Sequence, residues 1–70
     1  MVDKDILKLE KLCEHWAKHN NSHKETFEKW RDIAKEKDLD IVVENLNKAI
    51  EMMDKSTEYL LFAKQNLDKE

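Results

Sequence analysis

Apolar residues recur along the chain in alternating steps of three and four, the spacing that places side chains on one side of an α-helix. The pattern runs through two long stretches, and in the first of them Cys13, Phe27 and Ala34 lie beside the repeat and widen its apolar stripe. The pattern therefore predicts an all-α fold whose helices pack along the repeat positions. These positions are Leu9, Leu12, Trp16, His19, His23, Thr26, Trp30 and Ile33 in the first stretch, and Leu39, Val42, Leu46, Ala49, Met53, Ser56, Leu60, Ala63 and Leu67 in the second.

A short charged segment separates the two periodic stretches. Asp38 and Asp40 are both suited to cap the second helix, because an Asp side chain accepts hydrogen bonds from the free backbone amides at a helix start. We therefore expect the main reversal of the chain near residues 37–40. It would join a first helix over residues 4–37 to an antiparallel second helix over residues 40–68.

A second turn is an alternative at Asn20–Ser22. Ser22 to Glu25 reads S-H-K-E, which matches the capping box that often marks a helix start. A turn there would split the first helix and give a three-helix bundle. The heptad phase does not shift across residues 19–23, however, and a turn usually breaks that phase. We therefore favour one continuous first helix and a long hairpin over the three-helix bundle.

The short chain indicates that such a hairpin pairs with a partner subunit. The 70 residues allow a single domain, residues 1–70, and a chain of this size buries only about 60% of its unfolded surface. Two helices share one seam, which leaves part of a wide apolar stripe in water. We therefore expect a homodimer, in which two hairpins form a four-helix bundle.

Composition excludes several classes of protein. The formal net charge of −3 argues against a nucleic-acid binder, and no apolar run approaches the roughly 20 residues of a membrane span. The first residues lack the apolar core of a signal peptide. One cysteine, Cys13, allows no internal disulfide and fits a reducing compartment. These features predict a cytoplasmic protein, with Cys13 as a small buried apolar residue.

The candidate chemistry lies in a histidine ladder formed by His15, His19 and His23, which are four residues apart. The heptad phase predicts that the ladder follows the packed seam. Neutral imidazole is a common ligand of Zn²⁺ and Ni²⁺, and two histidines at i and i+4 can chelate one ion. Residues 15 and 23 are roughly 12 Å apart on a straight helix at about 1.5 Å per residue. One ion can therefore take one pair, His15 with His19 or His19 with His23.

The second helix offers no carboxylate aimed at the ladder, and the inward groups expected opposite it include Ser56 and Thr57. A symmetric dimer could supply a second histidine pair and complete four ligands. In the competing interpretation, Ser56 and Thr57 hydrogen-bond His19 and His23. The histidines then form a buried polar layer that fixes helix register.

The remaining candidates favour interaction over catalysis. Trp16, Phe27, Trp30 and Met53 have the spacing of core residues, and their functional interpretation is a surface for a partner protein or helix. The chain contains no glycine loop for phosphate, no Ser-His-acid set and no paired carboxylates in a cleft. The sequence thus predicts a non-enzymatic helical module that binds Ni²⁺ or Zn²⁺ through the ladder, or else a purely structural oligomerisation module.

The segment from His15 to Trp30 fits the pattern H-W-x-x-H-N-x-x-H-x-x-x-F-x-x-W. It resembles a pattern in small, uncharacterised His-rich helical domains of archaea and anaerobic bacteria. Some of these domains occur alone, and others are appended to small nickel-binding accessory proteins. The resemblance covers residues 12–34, and it implies metal-linked roles for His15, His19 and His23.

Overall fold

A computed structural model describes residues 3–67, which form an antiparallel hairpin of two α-helices. Helix α1 is Lys4–Glu36 and helix α2 is Asp40–Gln65. The hairpin is a thin rod with extents of 58 × 16 × 11 Å. The prediction of two long helices is confirmed, although the second ends at Gln65, before the predicted end at residue 68, which itself lies outside the described residues. Between residues 3 and 67, neither helix is apolar over a long enough stretch to cross a membrane.

Helix α1 continues without a break through Asn20–Ser22, so the alternative of a three-helix bundle is wrong. The side chain of Asn20 does not compete with the backbone ladder of α1, because it has a partner on α2. The Nδ2 atom of Asn20 donates a hydrogen bond to Oγ of Ser56 on α2, at 3.0 Å. The true start of α1 is capped by Asp3, whose Oδ1 accepts from the backbone N–H of Asp5 at 2.8 Å.

The reversal falls where it was predicted, but the expected roles of Asp38 and Asp40 as caps of the second helix are wrong. Asp38 has a φ of 57° and closes the end of α1 instead. Its N–H donates to the carbonyl of Lys35, and the N–H of Leu39 donates to the carbonyl of Ala34. These two bonds are those of a Schellman motif, in which a left-handed residue satisfies the last carbonyls of a helix. The N-cap of α2 is Leu39, with no side-chain cap, and Asp40 is already helical.

Small side chains make up most of the buried core in the part of the hairpin that the structure describes. Among residues 3–67 the buried apolar residues are Cys13, Ala17, Ala34 and Ile50. Cys13 is only 2% exposed, which confirms its predicted place as a small buried residue. Small side chains allow the two helices to approach closely, because the distance between helix axes depends on the residues at the contact.

The seam on α1 lies one residue away from the predicted repeat. The residues of α1 that are buried or half-buried against α2 include Cys13, Ala17, Asn20 and Ala34. Most of the residues that the repeat predicted to pack there are exposed instead. One residue corresponds to a rotation of about 100° on a helix. The predicted phase was wrong for α1 because the widened stripe includes two adjacent sides of the helix, and the side with the smaller residues packs against α2.

Polar links between the helices set their register. Besides the bond from Asn20 to Ser56, Nζ of Lys64 lies 2.6 Å from Oε1 of Glu14, and Nζ of Lys24 lies 2.7 Å from Oδ1 of Asp54. Near the turn, Nη1 of Arg31 donates to Oδ1 of Asn47 at 3.2 Å. The links join early residues of α1 to late residues of α2, as an antiparallel pair requires. They therefore place the middle of α1 level with Ser56.

Candidate functional site

The three histidines lie on the exposed surface of α1 and not in the packed seam, so the prediction of their burial within the hairpin is wrong. The reason is the rotation of α1, which turns Ala17 and Asn20 toward α2 in place of His19 and His23. An exposed imidazole is free to exchange its water for another partner. The ladder is therefore open to a metal ion or to a second protein surface.

His19 and His23 converge, as expected for two histidines one turn apart on a helix. Their Nε2 atoms are 2.9 Å apart, so that one ring nitrogen donates a hydrogen bond to the other. The ring centroids are 4.4 Å apart and the ring planes are nearly perpendicular, at 86°. Behind this pair, Phe27 lies 6.1 Å from the ring of His23, centroid to centroid. The continuous helix thus holds the two Nε2 atoms within hydrogen-bond distance of each other.

The 2.9 Å separation of the two Nε2 atoms suits chelation of a single ion. Zn–N bonds are about 2.0–2.1 Å long, so two nitrogens on one ion are about 2.9 Å apart at a right angle and about 3.4 Å apart at a tetrahedral angle. Small rotations of the side chains would span this range. The pair can therefore hold an ion without any change of the backbone.

His15 belongs to the ladder but not to this convergent pair. Its ring stacks on His19 with centroids 6.1 Å apart and planes 22° from parallel. Stacked rings direct their nitrogens alongside one another rather than toward a common point. Of the two pairs that the spacing allowed, the geometry brings His19 and His23 together and leaves His15 beside them.

Within residues 3–67, no cluster contains three or more His, Cys, Asp or Glu residues able to hold a metal ion. Cys13 is buried in the seam and cannot reach the surface pair. The expectation that Ser56 hydrogen-bonds the histidines is wrong, because its hydroxyl accepts from Asn20 instead. The structure gives no hydrogen bond from Thr57 to either ring. Residues 3–67 of a single chain therefore offer an ion no more than the two ligands of this pair.

The histidine pair is part of a broader apolar surface, which we call the aromatic face. Trp16 and Trp30 are 42% and 55% exposed, as expected for a hairpin whose single seam leaves a wide apolar stripe in water. Trp16, His23 and Trp30 follow one another at intervals of seven residues, which puts them on the same side of α1. We define the aromatic face by Leu9, Trp16, His19, His23, Trp30 and Val42.

Two of the predicted interaction residues lie elsewhere. Phe27 and Met53 are half-buried at the contact between α1 and α2, and so contribute to the seam of the hairpin. Sequence reasoning also missed Asn20 as an interhelical contact, since it was considered only as part of a turn. Its position three residues after Ala17 and four before Lys24 is the signal that could have placed it in the seam.

The two broad sides of the hairpin differ in character. On the side of the aromatic face, Trp30, Leu39, Val42 and Leu46 line an apolar groove near the turn. On the opposite side, the groove at the same level is lined mainly by charged and amide side chains, Arg31 among them. Near the turn, the surface is therefore apolar on the side of the aromatic face and polar on the opposite side.

Ion pairs strengthen the hairpin away from the histidine pair. The hydrogen bond and charge of Lys64 lower the pKa of Glu14 below its ordinary value of 4.5, and Glu14 in turn raises the pKa of Lys64. Asp54 likewise raises the pKa of Lys24. The Glu14 contribution to stability is present above pH 4.5 and is lost as the pH falls through the lowered pKa. These contacts hold the two helices in the register that positions the aromatic face.

A family model described as a domain of unknown function (DUF8180) matches residues 9–67. This range includes the histidine ladder, both tryptophans, the turn and the whole of α2. No curated protein and no solved structure matches the chain.

Proposed function

Since the chain belongs to the DUF8180 family, whose description names no activity, we propose from the geometry that it is a non-enzymatic helical module that binds a divalent transition metal ion. His19 and His23 are the ligands from each chain, and Zn²⁺ and Ni²⁺ are the candidate ions. The observation that carries this proposal is the 2.9 Å separation of the two Nε2 atoms on an exposed helix surface.

The chemistry of imidazole supports the choice of ion. Neutral histidine binds Zn²⁺, Ni²⁺ and Cu²⁺, whereas Mg²⁺ and Ca²⁺ take oxygen ligands. No carboxylate belongs to a metal-binding cluster with the pair in the described part of the chain. The site therefore favours a borderline ion that accepts nitrogen ligands, and we expect no binding of Mg²⁺ or Ca²⁺.

Calorimetric titration of the metal-free protein with Zn²⁺ and with Ni²⁺ tests the proposal. We expect micromolar binding that is lost in His19→Ala and in His23→Ala. Removal of a group behind a metal ligand already costs roughly 10–100-fold in affinity, so removal of a ligand costs at least as much.

His15→Ala is the matched control for this titration. It removes the same side chain from the same helix surface, but not from the convergent pair. Its affinity for both ions should be close to that of the unmodified chain. The proposal fails if neither ion gives heat with the unmodified chain, or if His15→Ala and His19→Ala weaken binding equally.

The rival function is homo-oligomerisation without a metal, and the exposure of the aromatic face favours it. Trp30 is 55% exposed beside an apolar groove, and a partner surface would remove this apolar area from water. In this alternative the histidines form a polar layer between two copies and not within one. The protein would then form a stable dimer whose affinity does not change when Zn²⁺ or Ni²⁺ is added.

A further inference from the structure

We infer that a second copy of this chain covers the aromatic face, with the two α1 helices antiparallel, so that four histidines from two chains share one metal ion. This inference rests on the proposed metal site and specifies its remaining ligands. A four-nitrogen tetrahedral set is a closed zinc site. The two ligands of each chain, His19 and His23, are half of that set.

The surface area of the hairpin agrees with a second copy as the occupant. The chain exposes 5958 Å², whereas a compact monomer of 70 residues would expose roughly 4600 Å² by the scaling of surface with mass. The excess is roughly 1300 Å² per copy, more than the roughly 800 Å² that each partner contributes to a standard interface. The rod as a whole thus exposes more extra surface than one partner of a standard interface buries, which a second copy could cover.

The order of residues along α1 selects the position of the two-fold axis. An axis perpendicular to the helix and level with residue 21 brings together, across the two copies, Leu9 with Ile33, Leu12 with Trp30, Trp16 with Thr26 and His19 with His23. Histidines then meet histidines at the centre, and apolar residues meet at both ends. An axis moved to the next gap of the repeat on either side would set His19 against Trp16 or Trp30. Only the central axis therefore pairs the polar residues with one another.

Helix α2 is compatible with the same axis. The bond from Asn20 to Ser56 puts Ser56 level with the centre of α1. Ala49 and Ala63 lie seven residues before and after Ser56, on one side of α2. Small side chains at three successive levels would let the two α2 helices approach closely while the larger residues of α1 fill the rest of the interface. The residue patterns of both helices thus agree on a two-fold axis at the level of residue 21 and Ser56.

Disulfide trapping tests this arrangement without reference to metal. Ser56→Cys, in a Cys13→Ala background, puts a thiol beside its own symmetry mate, and a disulfide needs Cα atoms about 4.4–6.8 Å apart. Mild oxidation should convert most of the protein to a cross-linked dimer. Glu58→Cys is the matched control on the outward side of α2 and should stay reduced. Equal cross-linking of the two variants, or none with Ser56→Cys, would overturn the arrangement.

Counting the bound ions by native mass spectrometry tests the shared site. We expect one Zn²⁺ per two chains, and we expect the ion to be lost in His19→Ala while the dimer remains. One Zn²⁺ on each chain would overturn the shared site but leave the proposed metal-binding function intact. A cross-linked dimer that takes up no ion would refute the metal-binding function and with it the shared site, while retaining the antiparallel arrangement.

Discussion

At the scale of single residues, Asp38 shows how a chain without glycine makes a tight reversal. Its φ of 57° is in the left-handed region, where an L-residue other than glycine is strained. Asp is among the residues that tolerate this conformation best. The two Schellman hydrogen bonds to Lys35 and Ala34 repay part of that strain by satisfying carbonyls at the end of α1. The Schellman bonds therefore fix the geometry of the turn, while the positive φ of Asp38 lowers its stability.

Asp38→Gly should stabilise the hairpin by about 0.5–1 kcal/mol, because glycine adopts a positive φ without a steric cost and this gain exceeds its greater freedom in the unfolded chain. Lys37→Gly is the control one residue earlier, where φ is −94° and glycine brings only an entropic loss. Urea unfolding followed by circular dichroism measures both. Destabilisation by Asp38→Gly equal to that by Lys37→Gly would show that the left-handed residue carries no strain.

At the scale of the elements, the sequence predicted the two helices and the reversal because long periodic stretches and a charged interruption are strong signals. The phase of α1 could not be predicted in the same way. Its apolar stripe covers two adjacent sides, and the repeat alone does not say which side faces α2 and which faces outward. In the structure, the side of α1 with small residues such as Cys13 and Ala17 packs against α2. The sequence pattern instead favours the side with the large residues Trp16 and Trp30.

Ala17→Leu should lower the free energy of unfolding by about 1–3 kcal/mol, because Ala17 is only 8% exposed at the close approach of the helices and extra methylenes there cause overpacking. Helix propensity does not account for such a loss, since Leu is nearly as good a helix former as Ala. Lys18→Leu is the control at an exposed neighbouring position and should change stability by less than about 0.5 kcal/mol. Equal effects of the two changes would contradict the seam described above.

Part of the geometry of the candidate site could be predicted from the sequence. The spacing alone identified the ladder and its two overlapping pairs, because i and i+4 residues meet on any α-helix. It could not choose between the pairs, since the choice depends on ring orientation: His15 stacks while His23 converges. Exposure of the ladder also depends on which side of α1 faces α2. It could not be predicted, because the apolar stripe covers two adjacent sides of that helix.

At the scale of the whole molecule, the hairpin is a thin rod whose aromatic face leaves both tryptophans exposed. Within residues 3–67 its fully buried core is limited to Cys13, Ala17, Ala34 and Ile50 along a single seam, which is little for a stable fold of this size. Pairing of two aromatic faces would bury both tryptophans of each copy and add a second core between the hairpins. The proposed metal site lies at the centre of that surface, so that association and ion binding would support each other.

Sedimentation equilibrium of the unmodified chain and of Trp30→Glu, each with and without Zn²⁺, tests the central claim most directly. The account predicts a dimer of the unmodified chain without metal and a tighter dimer with Zn²⁺. It predicts a monomer for Trp30→Glu, because the change would bury an unpaired charge in the interface. A monomer of the unmodified chain at millimolar concentration, with and without Zn²⁺, would contradict the account.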